Sequence, residues 1–518
     1  MEFQFYRSFL TEQDVLCYDY IYGKLLKIAP VFHVRASTEQ IHRVMKAILL
    51  DHPELFFFEG KWRGEFSQDG VRVMPKYKLR DDLKQQAAYI EERVSLILKL
   101  CTGSLIHQIK VVYDWFLDHV KYMRWENDQT IEGSLIYRKA VCKGIAKGFQ
   151  VLMNRLQIPS YLVEGTLDGE TSHIWNVVLA EGKAYHVDVT MGYEEFRDLF
   201  RGMGRNRHYP CFLVSDAKIR MTHKLYGDGF HLCDEDLDFD RFLISELGIP
   251  ERLQAYGEVK YLDRGATATV FSVGVPEPKY VIKVICCRGN KAVKADALAE
   301  QEKLRLLSDT DGVIPLIDSG YSEEKDHIYL LFPYCKSLPG VRREPHFDPL
   351  IHTLIMGQHI LDAMIRCRDL GIYHLDIQPK NIYFQREGRW ILGDFGCARF
   401  SHELDHLPPS VGTVAFMAPE VYHNGIYSQA SEIYSLGIVM YSLMNFARLP
   451  FAERGNTQKG IVRRLSGAEL PPPGNMDPVL WKYMERMCAY DCSDRVSTYE
   501  EAQKSIALVL QKLGVEQE

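Results

Sequence analysis

Apolar side chains recur at helical spacing over 11–28 and 38–50, which predicts two amphipathic helices early in the chain. Between 53 and 78 the pattern changes, and PELFFFEG and GVRVMPKYKL predict strands around a glycine-rich turn. Helical spacing returns from about Asp81 to Leu100 and from about Ser104 to Tyr122, where Ile106, Ile109, Val112, Trp115 and Phe116 share one face. GIAKGFQVLMNRL, just after Cys142, predicts a further amphipathic helix with Ala146, Phe149, Leu152, Met153 and Leu156 on one side. Two or three strands follow through 160–190, so the first half reads as mixed α+β. The acidic run CDEDLDFD (233–240) and the break at Gly248-Ile249-Pro250 then interrupt the pattern, as an interdomain joint would. Beyond it, KYLDRGATATVFSVG and KYVIKVICC predict a strand hairpin and its neighbour, and the remainder becomes helix-rich. The expected organisation is an accessory part of the first domain over 1–100, its core over 101–236, a linker over 237–254 and a second domain over 255–518.

Composition narrows this picture. A chain of 518 residues exceeds one compact core and implies two to four domains. The net charge of -7 argues against nucleic acid as a main partner, because phosphate binding needs a concentrated basic surface. The start, MEFQFYRSFLTEQD, lacks the basic-then-apolar order of a secretory signal. The longest apolar stretch, over 433–447, falls short of the roughly 20 apolar residues a membrane span requires and reads as a buried helix. No membrane association is expected. Twelve cysteines show no zinc-binding spacing; with no export signal they read as reduced thiols, so a cytoplasmic location is expected.

Two groups of residues carry candidate chemistry. Cys142 opens a predicted helix, where the positive end of the helix dipole favours thiolate. His173 begins the strand-like SHIWNVV, and Asp188 lies in the next such run, YHVDVT. If adjacent antiparallel strands bring them together, the imidazole takes the thiol proton, the carboxylate holds the ring tautomer, and the thiolate attacks a carbonyl. The stretch CKGIAKGFQVLMNRLQIPSYLVEG…HIWNVVLAEGKAYHVDVTMGY resembles the transglutaminase-like (papain-like thiol) superfamily, most specifically over about 100–235. The resemblance rests on a Cys opening a helix, the turn Gln157-Ile158-Pro159 into a strand, a His before Trp175-Asn176, and an Asp ending the next strand. It implies a cysteine-protease-type fold with Cys142 as nucleophile, His173 as general base and Asp188 as its orienter. CFLVSDAKIRMTHK (211–224) resembles the end of such domains. Met191 departs from the family, which usually has Trp there, and this puts the shape of the acyl pocket in question. The superfamily includes transglutaminases, peptidases, deglycosylating amidases and inactive members, and the triad alone does not choose among them.

The second group is ordered along the second half. Gly265 and Val270 lie on a predicted hairpin, Lys283 on the next strand, and Glu300 on a helix from which it would pair that lysine. HLDIQPKN supplies Asp376 and, five residues on, Asn381; GDFG supplies Asp394. A carboxylate at 376 suits a base for a substrate hydroxyl, while an amide and a carboxylate at 381 and 394 suit magnesium. This half resembles the protein kinase family over about 255–512, with further matches at SVGTVAFMAPE (410–420), SEIYSLG (431–437) and Arg495. The resemblance implies a bilobal fold, ATP and Mg2+ as cofactors, and protein substrates, with self-modification as an additional outcome. It also implies a buried Glu420–Arg495 ion pair, Phe332 behind the nucleotide, and Pro333, Tyr334 and Cys335 as the connection whose backbone meets adenine. Pro379 suits the serine/threonine branch.

Departures from the family pattern bear on turnover. Asp263 and Ala268 stand where glycines are usual; glycine allows close backbone approach to phosphate, so weaker nucleotide affinity is expected. Leu375 replaces the usual Arg before the catalytic Asp, which implies little dependence on loop phosphorylation. Gln378 replaces a lysine and removes a charge near the transferring phosphoryl group. The expectation is a bifunctional protein, with a serine/threonine-type kinase and a thiol domain. The alternative is a nucleotide-binding pseudokinase scaffold that regulates the thiol domain.

Overall fold

Polar caps set where the first helices begin. The side chains of Thr11 and Ser37 accept hydrogen bonds from the N–H groups of Asp14 and Gln40, which starts α1 (Glu12–Leu26) and α2 (Thr38–Asp51). In this computed structural model residues 3–515 are described, apart from 68, 79–81, 201–207, 228–229, 266, 386–387, 408–410 and 454–456. The chain divides into two units, Met1–Glu246 and Leu247–Glu518.

In the N-terminal unit, β1 (Phe32–Val34), β2 (Phe58–Ser67) and β3 (Gly70–Tyr77) form an antiparallel sheet of order β1-β3-β2. The strand expected at PELFFFEG starts only at Phe58. Before it the backbone folds into successive turns, Leu55 N–H to His52 O and Phe58 N–H to Leu55 O, which drive Leu55 and Phe58 into the core beside α1 and α2. Burial alone therefore accounts for that apolar run.

Next come α3 (Leu83–Leu98), α4 (Leu105–His119), the short parallel pair β4 (Lys121–Tyr122) and β5 (Lys139–Ala140), and α5 (Cys142–Arg155). The helix expected to reach Tyr122 stops at His119, because Val120 turns extended and Tyr122 enters β4. An antiparallel sheet follows, of order β10-β6-β7-β8-β9: β6 (Ser160–Leu167), β7 (Thr171–Ala180), β8 (Lys183–Val187), β9 (Phe212–Val214) and β10 (His223–Leu225), with α6 (Asp216–Ile219) between the last two. Where two or three strands were expected, three form its centre, and two short later strands close its edges. Helix α5 packs on the sheet through Ala146, against Leu162 and Ile174, and Asn176 Nδ2 donates to Ala146 O at 3.1 Å.

The segment read as a linker is largely helical, with α7 (Phe239–Leu247) and α8 (Glu251–Gln254) on either side of Gly248, whose φ of 63° lies in the left-handed region. In the C-terminal unit, β11 (Val259–Arg264), β12 (Ala268–Val273), β13 (Tyr280–Cys286), β14 (Asp318–Ser322) and β15 (His327–Pro333) form an antiparallel sheet of order β11-β12-β13-β15-β14, joined by α9 (Lys291–Leu306). The helical lobe contains α10 (Leu338–Val341), α11 (Ile351–Asp369), α12 (Pro419–Asn424), α13 (Gln429–Met444), α14 (Thr457–Leu465), α15 (Pro478–Trp481) and α16 (Tyr499–Lys512). Nearly every side chain of α13 is buried, which accounts for the apolar stretch at 433–447. Among the described residues no helix is long and apolar enough to cross a membrane. The class is α+β throughout.

Arg495 and Glu420 form a two-pronged ion pair, 2.5 and 3.0 Å, in which the arginine side chain is fully buried. Removing one partner of such a pair strands a buried charge, at a cost of about 3–5 kcal/mol. Glu420→Ala should therefore lower the melting temperature of the C-terminal unit by roughly 10 °C in a calorimetric scan. A shift under about 2 °C would show that Arg495 finds its own compensation.

Candidate active sites

Cys142 is the first residue of α5, and its N-cap, Val141, makes no side-chain capping bond. The central strands deliver its two partners: His173 lies near the start of β7, and Asp188 follows the end of β8. His173 Nε2 lies 2.6 Å from Asp188 Oδ2, both side chains being almost wholly buried. The Cys142 thiol lies against the imidazole and shares a cavity with it. The structure thus brings all three sequence-chosen residues together.

Burial opposes the charge on His173, but Asp188 and Cys142 outweigh it and push the imidazolium up to about 10. Burial would likewise raise the Asp188 carboxyl, yet His173 and His223 outweigh it and hold it well below the usual range. Asp188 Oδ1 accepts the Thr190 N–H at 2.9 Å. Met191, at the position that departs from the family, is buried in the same core as Trp175.

A cavity of about 440 Å³ opens beside Cys142 and His173, bordered by Arg124, Lys143, Glu164 and Tyr226. Tyr122 sits against Cys142. Neither Tyr122 nor His223 was chosen from sequence. Tyr122 occupies a two-residue strand and His223 a three-residue strand, both too short to show a period. Gly165 shows how tightly this corner is built: a Cβ there would lie 2.2 Å from Lys224 O and 2.8 Å from the Trp175 ring.

In the C-terminal unit, Lys283 Nζ donates to Glu300 Oε1 at 2.7 Å and to Asp394 Oδ1 at 2.8 Å. Burial opposes the ammonium charge, but the two carboxylates outweigh it and hold Lys283 above its ordinary range. Burial pushes the Glu300 carboxyl up, and Lys283 only partly offsets this. For Asp394 the lysine outweighs burial, and its carboxyl is held down.

Val270, Lys283, Glu300, Phe332, Pro333, Cys335 and Asp394 line one cavity of about 150 Å³, together with Val281, Ile314 and Tyr383. Gly265 and Tyr334 do not line it. The Gly265 N–H closes the β11–β12 hairpin onto Ala268 O, and the Tyr334 N–H bonds Lys279 O at the end of the β13–β15 pairing. Ala266, in that hairpin, and Ser410, which opens SVGTVAFMAPE, lie outside the described residues.

Asp376 is held by one oxygen only. Gln378 Nε2 and Asn381 Nδ2 both donate to its Oδ2, at 2.7 and 3.0 Å, while Oδ1 is buried without a hydrogen-bond partner. The residue before it, Leu375, has a φ of 62°, and Asp394 has one of 61°. Such left-handed backbone costs about 1–3 kcal/mol per residue and persists only where surrounding bonds enforce it. Those bonds come from residues that sequence reasoning did not assign: Glu432 Oε1 accepts the N–H groups of His374 and Leu375, both at 2.8 Å, and His374 Nε2 bonds Gly393 O at 3.0 Å. Tyr499 donates to the other oxygen of Glu432. An acid in the first turn of a helix that continues as the apolar run IYSLGIVMYSLM was the visible signal for Glu432. Arg464, fully buried, similarly ties Val414, Ala415 and Met417 through their carbonyls.

Residues 256–506 match the family described as Protein kinase domain. The C-terminal unit carries a protein kinase domain. Residues 98–189 match the Transglutaminase-like superfamily, so the N-terminal unit carries a transglutaminase-like domain. Similar proteins include Serine/threonine-protein kinase ppk34 of Schizosaccharomyces pombe, 29% identical over 208 residues, covering 39% of this chain and 58% of that one. Serine/threonine-protein kinase ULK3 of Xenopus laevis is 25% identical over 260 residues, covering 48% of this chain and 55% of its own length. The DNA damage-responsive serine/threonine-protein kinase RqkA of Deinococcus radiodurans is 27% identical over 202 residues, covering 36% and 30%. The chain thus spans less than two thirds of the length of each of these relatives.

The kinase-domain residues suit a magnesium-bound nucleotide. The cavity joins apolar walls at Val270 and Phe332 to a lysine and a carboxylate, and the Asn381 amide, turned so that Nδ2 faces Asp376, keeps Oδ1 as an acceptor.

Proposed function

We propose that the kinase domain transfers the terminal phosphoryl group of magnesium-bound ATP to serine or threonine hydroxyls of protein substrates, and that the transglutaminase-like domain is a thiol acyl-transfer or hydrolytic enzyme. The observation that carries the first reading is Asp376 Oδ1, a buried acceptor without a partner beside an assembled Lys283–Glu300–Asp394 set. Bound ATP and magnesium would supply the phosphoryl group and the charge neutralisation that makes it transferable. Asp376 Oδ1 accepts the substrate hydroxyl proton, with Gln378 and Asn381 fixing the carboxylate through Oδ2. Lys283 aims at the phosphates and Glu300 aims Lys283. Asn381 and Asp394 would hold the metal.

In the thiol domain, Cys142 attacks a carbonyl and His173, already an imidazolium, protonates the leaving group. Asp188 keeps that ring oriented and stabilises its charge.

A second reading, a nucleotide-binding scaffold that does not turn over, draws on two observations. Gln378 is engaged with Asp376 instead of supplying a cation, and the cavity of about 150 Å³ is small. Phosphate incorporation into casein and into the protein itself, measured alongside an ATP-dependent thermal shift, separates the two. Product together with stabilisation is expected; stabilisation by ATP and magnesium without product would establish the scaffold.

A further inference from the structure

Asp188 serves two imidazoles. Its Oδ2 lies 2.6 Å from His173 Nε2 and 3.0 Å from His223 Nε2. His223 comes from β10, at the edge of the sheet, and is almost fully buried. Its other nitrogen, Nδ1, lies 2.9 Å from the buried Thr222 hydroxyl.

Counting protons assigns the state of this second ring. A neutral imidazole has one N–H and one lone pair. The Thr222 O–H can donate to Nδ1, which leaves Nε2–H for the carboxylate. The opposite tautomer would turn a nitrogen lone pair onto an anionic oxygen. A doubly protonated His223 would place a second imidazolium 5.4 Å, ring centre to ring centre, from His173, with one carboxylate between them. The other groups facing this corner do not take the charge over. Trp175 packs edge-on against His223 at 4.8 Å and donates its Nε1–H to His186 Nδ1 at 3.0 Å. His186 in turn donates Nε2–H to Asp216 at 2.8 Å, and burial holds it neutral. Cys142 lies against His173.

We propose that His223 is a positioning residue of the thiol site: a neutral imidazole whose tautomer is set by Thr222 and whose Nε2–H keeps the Asp188 carboxylate ionised and aimed at His173. The inference rests on the reading of Cys142, His173 and Asp188 as a working thiol site. Without this donor, a buried carboxylate with one partner would be a poorer counter-ion for the His173 imidazolium, and less thiolate would stand at Cys142 at low pH.

The test is the rate of iodoacetamide alkylation at Cys142 in the full-length protein from pH 5 to 9, resolved from the other cysteines by peptide mass spectrometry. His223→Ala should slow the reaction about fivefold at pH 6, the scale of one net hydrogen bond and less than removal of His173 costs, and move the acid limb to higher pH. His223→Gln, whose amide can still donate, should stay within about twofold of the parent. Thr222→Val touches neither the carboxylate nor His173, and should move the limb in the same direction as His223→Ala. The inference is overturned if the His223→Ala profile superimposes on the parent, if Gln and Ala slow the reaction alike, or if Thr222→Val changes nothing. Should the parent react no faster than a His173→Ala variant, the thiol reading fails first and this inference falls with it.

Discussion

Replacing Asp376 with Asn should cut phosphate incorporation from magnesium-bound ATP by about 10³-fold while leaving ATP-dependent thermal stabilisation in place. The substitution keeps shape and removes only the acceptor. An amide at 376 can turn its oxygen toward the Gln378 and Asn381 donors, so the loop keeps both bonds. Its NH2 then points where Oδ1 now lies buried and unpartnered, and presents donors to a hydroxyl that must lose a proton. Asp394→Asn should differ, because it discharges the carboxylate that pairs Lys283 and is expected to hold the metal. Both incorporation and ATP stabilisation should then fall. Incorporation into casein and into the protein itself is the readout; undiminished incorporation in Asp376→Asn would remove it from the base role.

The kinase set was legible in the sequence because its chemistry requires particular side chains at fixed intervals, and Lys283, Glu300, Asp376, Asn381 and Asp394 appear in that order. The bonds that the backbone itself makes were less legible. Gly265 and Tyr334 occupy their motif positions, their backbone N–H groups are bonded to Ala268 and Lys279, and neither residue lines the cavity. Glu432 works on main-chain N–H groups far away in sequence, so spacing cannot announce it, although a buried acid in an apolar helix could have drawn notice. In the thiol domain the helix and central strands followed from periodicity. Strands β9 and β10 did not, being three residues each. His223 meets Asp188 across 35 residues only because β10 adds to the sheet beside β6. The linker had its own signal: Phe239, Phe242, Leu243 and Leu247 recur at helical spacing, but the acidic run before them dominated the reading.

Replacing His173 with Ala should slow Cys142 alkylation about tenfold at pH 6, with the difference closing as pH rises toward 10. An unassisted thiol is only about 0.3% thiolate at pH 6, so complete ionisation would enrich the reactive form about 300-fold. A thiolate made by lowering basicity is also a weaker nucleophile, with a Brønsted slope of about 0.4–0.5, which returns most of that gain and leaves roughly tenfold. The pH direction follows from His173, which Asp188 and Cys142 raise to about 10 against the opposing effect of burial. A histidine raised above its unfolded value of about 6.5 contributes stability that is fully present below that pH and is lost as pH rises through about 10. Asp188, held down, works from the other side: its contribution is present above its unfolded value of about 3.9 and is lost on acidification. The pair is therefore strongest between about pH 4 and 6.5, and the melting temperature of the parent should exceed that of His173→Ala most in that window. Equal alkylation rates at pH 6, or a difference that grows toward pH 10, would mean that the imidazolium is not what activates Cys142.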